Sequence, residues 1–551
     1  MWKKIKETDR NHRFEIAYIL IALFAVSLPY LRQDLVVGSD APFHLARIES
    51  LKEGLRGGMF PVKVHSVLCY QYGYGVGLFY PNFFLYIPAF FRIMGLSLEV
   101  SYKLFAGLLF LGMFASMYYS VYRGIGDRML ALAAGALYLF STPVLDGVYH
   151  GFTLAQNQAL VFMPLAIMGM LIFAARDKKP WMLAAGFTGL IYSHVLSTVM
   201  AVAVCFIILV CYIFRWKNFK KKCMELAGAI LGVCGITFAY WGPMLEQFAA
   251  QTYRVSQPWT HVSDNVAGMY NMLTEEGFGV VLTVAWLVCV LYVLYEWKRI
   301  DREAKICMVL GTGLMLLLTC QPFWNVTEKL FDSLQFTSRL TRPAVILVIF
   351  AIMWCLKYYG VSSRLKPVLT MFTLGICVYA GLCQVSGDRK NLEDFGDRVL
   401  YEEIAGLGAG EEWLPVETTR EVMVTPLTAF SETGDAFAGS REGNNFYFVV
   451  SGESDVYRMP LVWYKGYKAE TENGIQLSVE KNGDDGLVLV SGVRNAKETT
   501  KIHVWYDGTA AQRISYLTSF LTAIGVAGIA IGKKLNRKSG IASGIKLFKK
   551  G

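Results

Sequence analysis

"WMLAAGFTGLIYSHVLSTVMAVAVCFIILVCYIF" (residues 181–214) contains no Asp, Glu, Lys or Arg in 34 residues. A helix needs about 20 apolar residues to cross a bilayer, so this run is too long for one crossing and has to turn back. Ser193 and His194 interrupt it and mark the tip of a tight hairpin. A polar turn accounts for the serine, but a turn has no need of an imidazole. The stretch makes the chain a polytopic α-helical membrane protein and leaves the purpose of His194 to be explained.

The composition agrees. Hydrophobic residues make up 54% of the 551 and charged residues 17%, where a soluble chain carries about 25% charge. Twelve crossings are expected, near 14–31, 102–122, 129–145, 158–175, 182–193, 196–214, 226–242, 278–296, 306–320, 342–356, 367–384 and 514–532. The first lacks a small-residue cleavage site and reads as an anchor, not a removed signal. With the N-terminus inside, the seven inner segments hold 29 Lys and Arg against 7 Asp and Glu. Their net +22 leaves −12 on the remainder of a chain whose total is +10. The basic charge thus follows the positive-inside rule and argues against a nucleic-acid partner. "RWKNFKKK" (215–222) and the tail 533–551 become anchors on the inner membrane surface, with both termini cytoplasmic. The 11 cysteines are scattered, without a disulfide framework or zinc spacing.

Three outward regions are too long to be turns. The first, 32–101, ends in "GLFYPNFFLYIPAFFRIMG" (77–95), which Pro81 and Pro88 interrupt. Counting it as a crossing would place the basic 215–222 loop outside, so an interfacial helix is expected. The second comprises 243–277 and 321–341. The third, 386–512, lacks Cys and alternates in "GLVLVSGV" and "TKIHVWYDG", with turn signals at Asn473-Gly474, Asn482-Gly483 and Asp485-Gly486. It reads as an extracytoplasmic β-sandwich-like domain, inserted between a transmembrane domain at 1–385 and a last crossing at 513–532.

"GSDAPFHLARIES" (38–50) sets Asp40, His44 and Arg47 four and three residues apart, on one side of a helix capped by Ser39. A helix-supporting acid at the positive dipole end explains Asp40 as readily as a site does. Of the seven histidines, only His12 falls on the inner side; His44, His65, His150, His194, His261 and His503 fall outside. Together they point to a polar outer-leaflet cavity. Asp146, in "STPVLDGVYHG" with His150, either faces Asp40 across it or sits in a loop turn beside Gly147. Two carboxylates can hold a divalent cation such as Mg or Mn, or one can deprotonate an acceptor hydroxyl. "FDSLQFTSRLTRP" (331–343) carries Arg339 and Arg342 where basic residues are disfavoured. Arginine forks suit phosphate oxygens, although a snorkelling flank is the plainer explanation. Tyr70, Tyr72, Tyr74 and Tyr80 are either platforms for sugar rings or an interfacial belt.

These residues carry a family resemblance. "SDAPFHLARIESLKEGLRGGMFPVK" (39–63) followed by "YGYGVGLFYPNFFLYIPAFF" (72–91) resembles the D-x-x-x-H-x-x-R helix and Gly-Tyr-Gly…Tyr-Pro stretch of a bacterial multipass family. That family is called "membrane protein, 6-pyruvoyl-tetrahydropterin synthase-related" and is close to the YfhO-like proteins. "IYSHVLST" resembles its T-H-x-L-T hairpin, "LQFTSRLTRP" its Q-F-P-W-R stretch, and "WYKGYKAETENG" with "VWYDGT" its outer domain. The architecture is similar to that of GT-C glycosyltransferases, which take sugar from a polyprenyl-phosphate carrier at the outer face. The resemblance implies Asp40 as the essential acid, with Asp146 as the candidate second acid or metal partner. His44, Arg47, Tyr72, Tyr74, Tyr80, His150, His194, Gln335, Arg339 and Arg342 are then candidates for substrate binding. The chain departs from the pattern at Gln335-Phe336-Thr337-Ser338-Arg339 and at Gln156, where an acid is often found. The implied acceptor is an extracytoplasmic cell-wall polymer, glycolipid or protein. A lipid or polysaccharide translocator and a non-catalytic cell-envelope assembly protein remain the alternatives; a translocator would need ionisable residues along a path through the bilayer.

Overall fold

The computed structural model describes residues 2–31, 40–176, 178–257, 259–274, 277–387, 411–451, 454–493 and 499–548, with backbone alone for 2–11, 274, 387 and 533–548. The start of the expected outer domain (388–410) and the proposed Ser39 cap lie outside the described residues. The helices are α1 (Trp2–Ser27), α2 (Ala41–Arg56), α3 (Val76–Phe79), α4 (Tyr86–Ile93), α5 (Leu98–Ile125), α6 (Arg128–Leu139), α7 (Thr142–Tyr149) and α8 (Leu154–Ala175). They continue with α9 (Trp181–Ile191), α10 (Val195–Ile213), α11 (Phe219–Ala250), α12 (Met269–Thr274), α13 (Val280–Tyr295), α14 (Arg302–Leu317), α15 (Gln321–Phe331), α16 (Thr341–Tyr359) and α17 (Leu365–Gly387). A last helix, Ala510–Phe548, follows the strands and runs on through the basic tail.

The 181–214 run turns back as its length demands. His194, in extended backbone, separates α9 from α10 and caps α10 by accepting the Ser197 N–H on Nδ1 at 3.2 Å. Among the described residues, eight helical stretches are long and apolar enough to cross a membrane, or up to ten if two bent pairs each count as one. Those pairs are Arg128–Leu139 with Thr142–Tyr149, bent by 44°, and Arg302–Leu317 with Gln321–Leu334, bent by 91°. Two of the twelve expected crossings correspond to the shorter apolar helices α9 and α13, of 11 and 16 residues. The Pro-interrupted stretch 77–95 is likewise too short to cross, forming α4 with Phe83, Phe90 and Met94 exposed. α16 is the centre of the bundle. Every residue from Leu340 to Cys355 is buried, as befits a helix apolar on all sides.

The loops assigned to the inner side meet one another. Arg176 Nη2 donates to the Gly124 carbonyl, Lys357 Nζ to the Ile125 carbonyl, and Lys366 pairs with Asp127. Lys222 is buried there, donating to the Phe173 and Arg176 carbonyls at 2.7 and 3.0 Å and lying 5.1 Å from the Trp216 ring centroid. It satisfies the last turn of α8, whose carbonyls have no helical partner. Lys222→Met keeps the apolar stem and removes the donors. We expect a loss of about 1–2 kcal/mol, read as a lower unfolding midpoint of the detergent-solubilised protein.

Before the last helix, the described residues form eight strands: β1 (Thr428–Ser431), β2 (Ala436–Glu442), β3 (Asn445–Val450), β4 (Val456–Val462), β5 (Tyr467–Thr471), β6 (Gln476–Lys481), β7 (Leu487–Ser491) and β8 (Thr500–Tyr506). They close as an antiparallel barrel in the order β1-β2-β3-β8-β5-β6-β7-β4, where a sandwich-like pair of sheets was expected. Alternation and turn dipeptides specify strands and hairpins, but closure rests on the β3–β8, β5–β8, β1–β4 and β4–β7 pairings, which no local signal encodes. The barrel sits on the first outer loop. Val462 N–H donates to the Tyr72 carbonyl at 2.8 Å, and Asn444 Nδ2 to that of Gly54 at 3.2 Å. Gly75 packs so closely that a Cβ there would meet the Tyr464 ring at 2.4 Å.

Candidate active site

Asp40 is the N-cap residue of α2, but its side chain makes no capping bond; Pro42 in the first turn sets the helix start. The Asp40 N–H donates to the Gly151 carbonyl at 3.3 Å, and the Gly151 N–H donates to the Asp146 carbonyl at 2.9 Å. The two acids therefore belong to backbone segments joined through one residue. The Asp40 carboxylate acts electrostatically on Tyr80, Arg339 and Glu412. Asp146 acts on Arg342 and pairs with His150 at 3.4 Å.

His44 and His194 both lie near Tyr80, with ring centroids 6.2 and 6.0 Å from its own. Burial first, then Arg47 and His194, holds His44 well below the usual imidazole range, so it is neutral at pH 7. Its Nδ1 receives Arg47 Nη1 at 3.2 Å, which places the ring proton on Nε2. His194 has the same tautomer, since Nδ1 is spent on the Ser197 N–H. Two imidazole N–H donors thus lie near Tyr80, and Arg339 and Arg342 both act on His194. Arg339 Nη1 donates to the Leu334 carbonyl at 2.9 Å. Arg342 is 8% exposed, and its Nε has no hydrogen-bond partner among the described residues.

Other candidates take structural places. Arg47 is buried beneath His44, with Nη2 donating to the Pro81 carbonyl and to Asn82 Oδ1 at 2.9 and 2.6 Å and its guanidinium 4.6 Å from the Tyr80 centroid. It positions His44 and Tyr80. Tyr72 and Tyr74 are buried under the barrel, their hydroxyls accepting the N–H groups of Thr425 and Trp413, so their faces are closed to a sugar. Gln335 takes a φ of 60°, turning the chain between two 3₁₀ segments ahead of Arg339.

The sequence reading missed the carboxyl that the barrel segment brings in. Burial and then Asp40 push Glu412 above the usual carboxylate range. It also missed Asn157, whose Nδ2 donates to the Gly147 carbonyl at 2.7 Å; a Cβ at Gly147 would lie 2.5 Å from its Oδ1. Neither residue is part of a motif, and each becomes visible only when distant segments meet. Among the described residues, no three His, Cys, Asp or Glu are grouped to hold a metal ion. Asp40 and Asp146 each face an arginine instead. Among the described residues, this donor set holds fewer oxygen ligands than a divalent cation takes. What the arrangement offers is a carboxylate able to accept a proton, next to cationic and N–H donors able to hold an anion.

No family model matches the chain. An uncharacterized protein of Lactococcus lactis subsp. cremoris (strain MG1363) is 26% identical over 263 residues, 45% of this chain. The match spans 42% of the length of that relative. Among solved structures, the chain is similar to the mycobacterial arabinofuranosyltransferase AftD (TM-score 0.45, 14% identity, 69% of this chain and 27% of that one). It is similar to an Archaeoglobus fulgidus oligosaccharyltransferase solved with Zn and sulfate (TM-score 0.40, 12% identity, 69% of this chain and 54% of that one). It is also similar to ArnT from Cupriavidus metallidurans bound to undecaprenyl phosphate (TM-score 0.42, 15% identity, 72% of this chain and 75% of that one).

Proposed function

We propose that the protein is a GT-C-type membrane glycosyltransferase, which transfers a sugar from a polyprenyl-phosphate carrier to a hydroxyl of an extracytoplasmic acceptor. One observation carries the reading: the Asp40 carboxylate lies within electrostatic reach of Arg339, in a site that also holds two neutral imidazoles and the buried, partly unsatisfied Arg342. In the transfer, the acceptor oxygen attacks the anomeric carbon, and the bond from that carbon to the carrier phosphate breaks with its electron pair leaving on the phosphate. Asp40 takes the acceptor proton. Arg339, Arg342 and the Nε2–H groups of His44 and His194 stabilise the growing phosphate charge, an electrostatic contribution that a water-poor site strengthens. Asp146, paired with His150, acts on Arg342 and orients it.

The test is turnover by the purified full-length chain in phospholipid nanodiscs, supplied with undecaprenyl-phosphate sugars and glycoside acceptors. Release of undecaprenyl phosphate coupled to a new glycosidic bond is the expected result. Failure of the wild type to bind undecaprenyl phosphate at all would overturn the reading.

A further inference from the structure

Glu412 lies between two residues that fasten the segment leading into the barrel. Glu411 pairs with Arg254 and, at 2.7 Å, with Arg420. Trp413 stacks on Phe79, with centroids 5.1 Å apart and planes within 4°. Its N–H donates to the Tyr74 hydroxyl at 3.2 Å, and its carbonyl accepts the Tyr464 hydroxyl at 3.0 Å. The backbone is held as well, Val255 N–H donating to the Glu412 carbonyl at 2.8 Å and Arg254 N–H to that of Leu414 at 3.0 Å. None of these bonds uses the Glu412 carboxyl. That group accepts its own residue's backbone N–H, acts on Tyr74 and Tyr80 and feels Asp40, while the Trp413 ring lies 6.4 Å from that of Tyr80.

We propose that Glu412, with the rings of Tyr80 and Trp413, forms an acceptor subsite for a glycoside, the carboxyl bonding a hydroxyl next to the one that Asp40 deprotonates. The inference rests on the transferase reading above and adds the substrate class of one part of the site. Aromatic rings beside a carboxyl match a ligand with apolar ring faces and hydroxyl edges. A carboxyl repels the anionic carrier, which assigns Glu412 and Trp413 to the acceptor, with Tyr80 bordering the Arg339 side of the site. Setting two carboxyls in a half-buried site carries an electrostatic cost, which a ligand rich in O–H donors offsets. Because the segment belongs to the approach to the barrel, docking of the barrel completes the subsite.

The experiment is calorimetric binding to the full-length chain in nanodiscs, with hexyl glycosides of glucose, galactose and mannose and, separately, undecaprenyl phosphate. At least one glycoside is expected to bind the wild type. Glu412→Ala should weaken it by about tenfold, the loss of one hydrogen bond to a charged group, with undecaprenyl phosphate affinity unchanged. Where Glu412→Ala fails to fold, the near-isosteric Glu412→Gln takes its place, with a smaller loss in the same direction. Glu412→Gln has a second readout. A carboxyl whose pKa is raised on folding lowers stability once pH passes its unfolded value. The unliganded Gln variant should therefore melt above the wild type at neutral pH, the gap closing as pH falls toward the ordinary glutamate range; a purely structural Glu412 would give the opposite sign. The proposal is overturned if no hexyl glycoside binds the wild type, or if the variants bind it equally well. In either case, retained undecaprenyl phosphate binding leaves the transferase reading standing, and its absence from the wild type brings that reading down instead.

Discussion

Asp40→Asn is expected to lower the rate of sugar transfer by about 10²–10⁴-fold, the usual contribution of a positioned general base, while undecaprenyl phosphate binds at least as tightly as before. The amide keeps the shape of the carboxylate but cannot take the acceptor proton. It also removes a negative charge near Arg339, which leaves the anion-binding side more positive. The helix itself should survive, because the Asp40 side chain does not cap α2 and Pro42 still sets its start. A melting midpoint close to wild type, measured beside the rate, would separate lost chemistry from lost fold. Full transfer by Asp40→Asn would overturn the assignment and move the base to Glu412 or Asp146. A helix-dipole acid, the plainer explanation of Asp40 from its spacing, would instead show a loss of stability with little change in rate.

The membrane class was legible because it depends on length and apolarity, properties that a single segment such as 181–214 displays. The hairpin at Ser193-His194 followed from the same count, and the contacts among Gly124, Arg176, Lys357 and Lys366 follow the segregation of basic loops. The number of crossings was less legible. Hydropathy alone does not show that a break after Leu139 bends one apolar segment by 44°, or that α9 stops after 11 residues. The candidate site was half legible. Asp40, His44, His194, Arg339 and Arg342 stood out because each is a polar residue at the end of an apolar stretch, where it needs a reason. Tyr72 and Tyr74 looked like sugar platforms because a sequence gives ring type and spacing but not which protein surface covers the ring. Glu412 was hidden for the opposite reason: among the charged residues of a polar segment a carboxylate is unremarked, and its position near Asp40 depends on contacts with Tyr74 and Tyr464, over 300 residues before it and about 50 after it.

Arg342→Met is expected to abolish most binding of undecaprenyl phosphate while making the unliganded protein more stable. Two observations set the signs. Arg342 sits in the first turn of α16, the positive end of the helix dipole, where a cation is disfavoured by about 0.3–1 kcal/mol. It is also 8% exposed with Nε unpaired among the described residues, and a buried charge without full compensation is costly. An arginine retained only as a snorkelling flank would reach the interface and tolerate replacement by lysine. In the proposed site, the guanidinium instead waits for an anion. Methionine fills similar space without the charge, so the unliganded variant should melt higher than the wild type. The wild type should gain about 2.7 kcal/mol at a ligand concentration near 100 times Kd, and the variant should gain little. Arg342→Lys should restore part of the ligand-induced gain, since a point charge remains but the paired N–H geometry does not. Thermal unfolding in nanodiscs with and without undecaprenyl phosphate reads the wild type and both variants in one assay. A lower melting point for unliganded Arg342→Met, with the ligand-induced gain intact, would make Arg342 a structural residue and leave Arg339 and the two imidazoles alone to hold the phosphate.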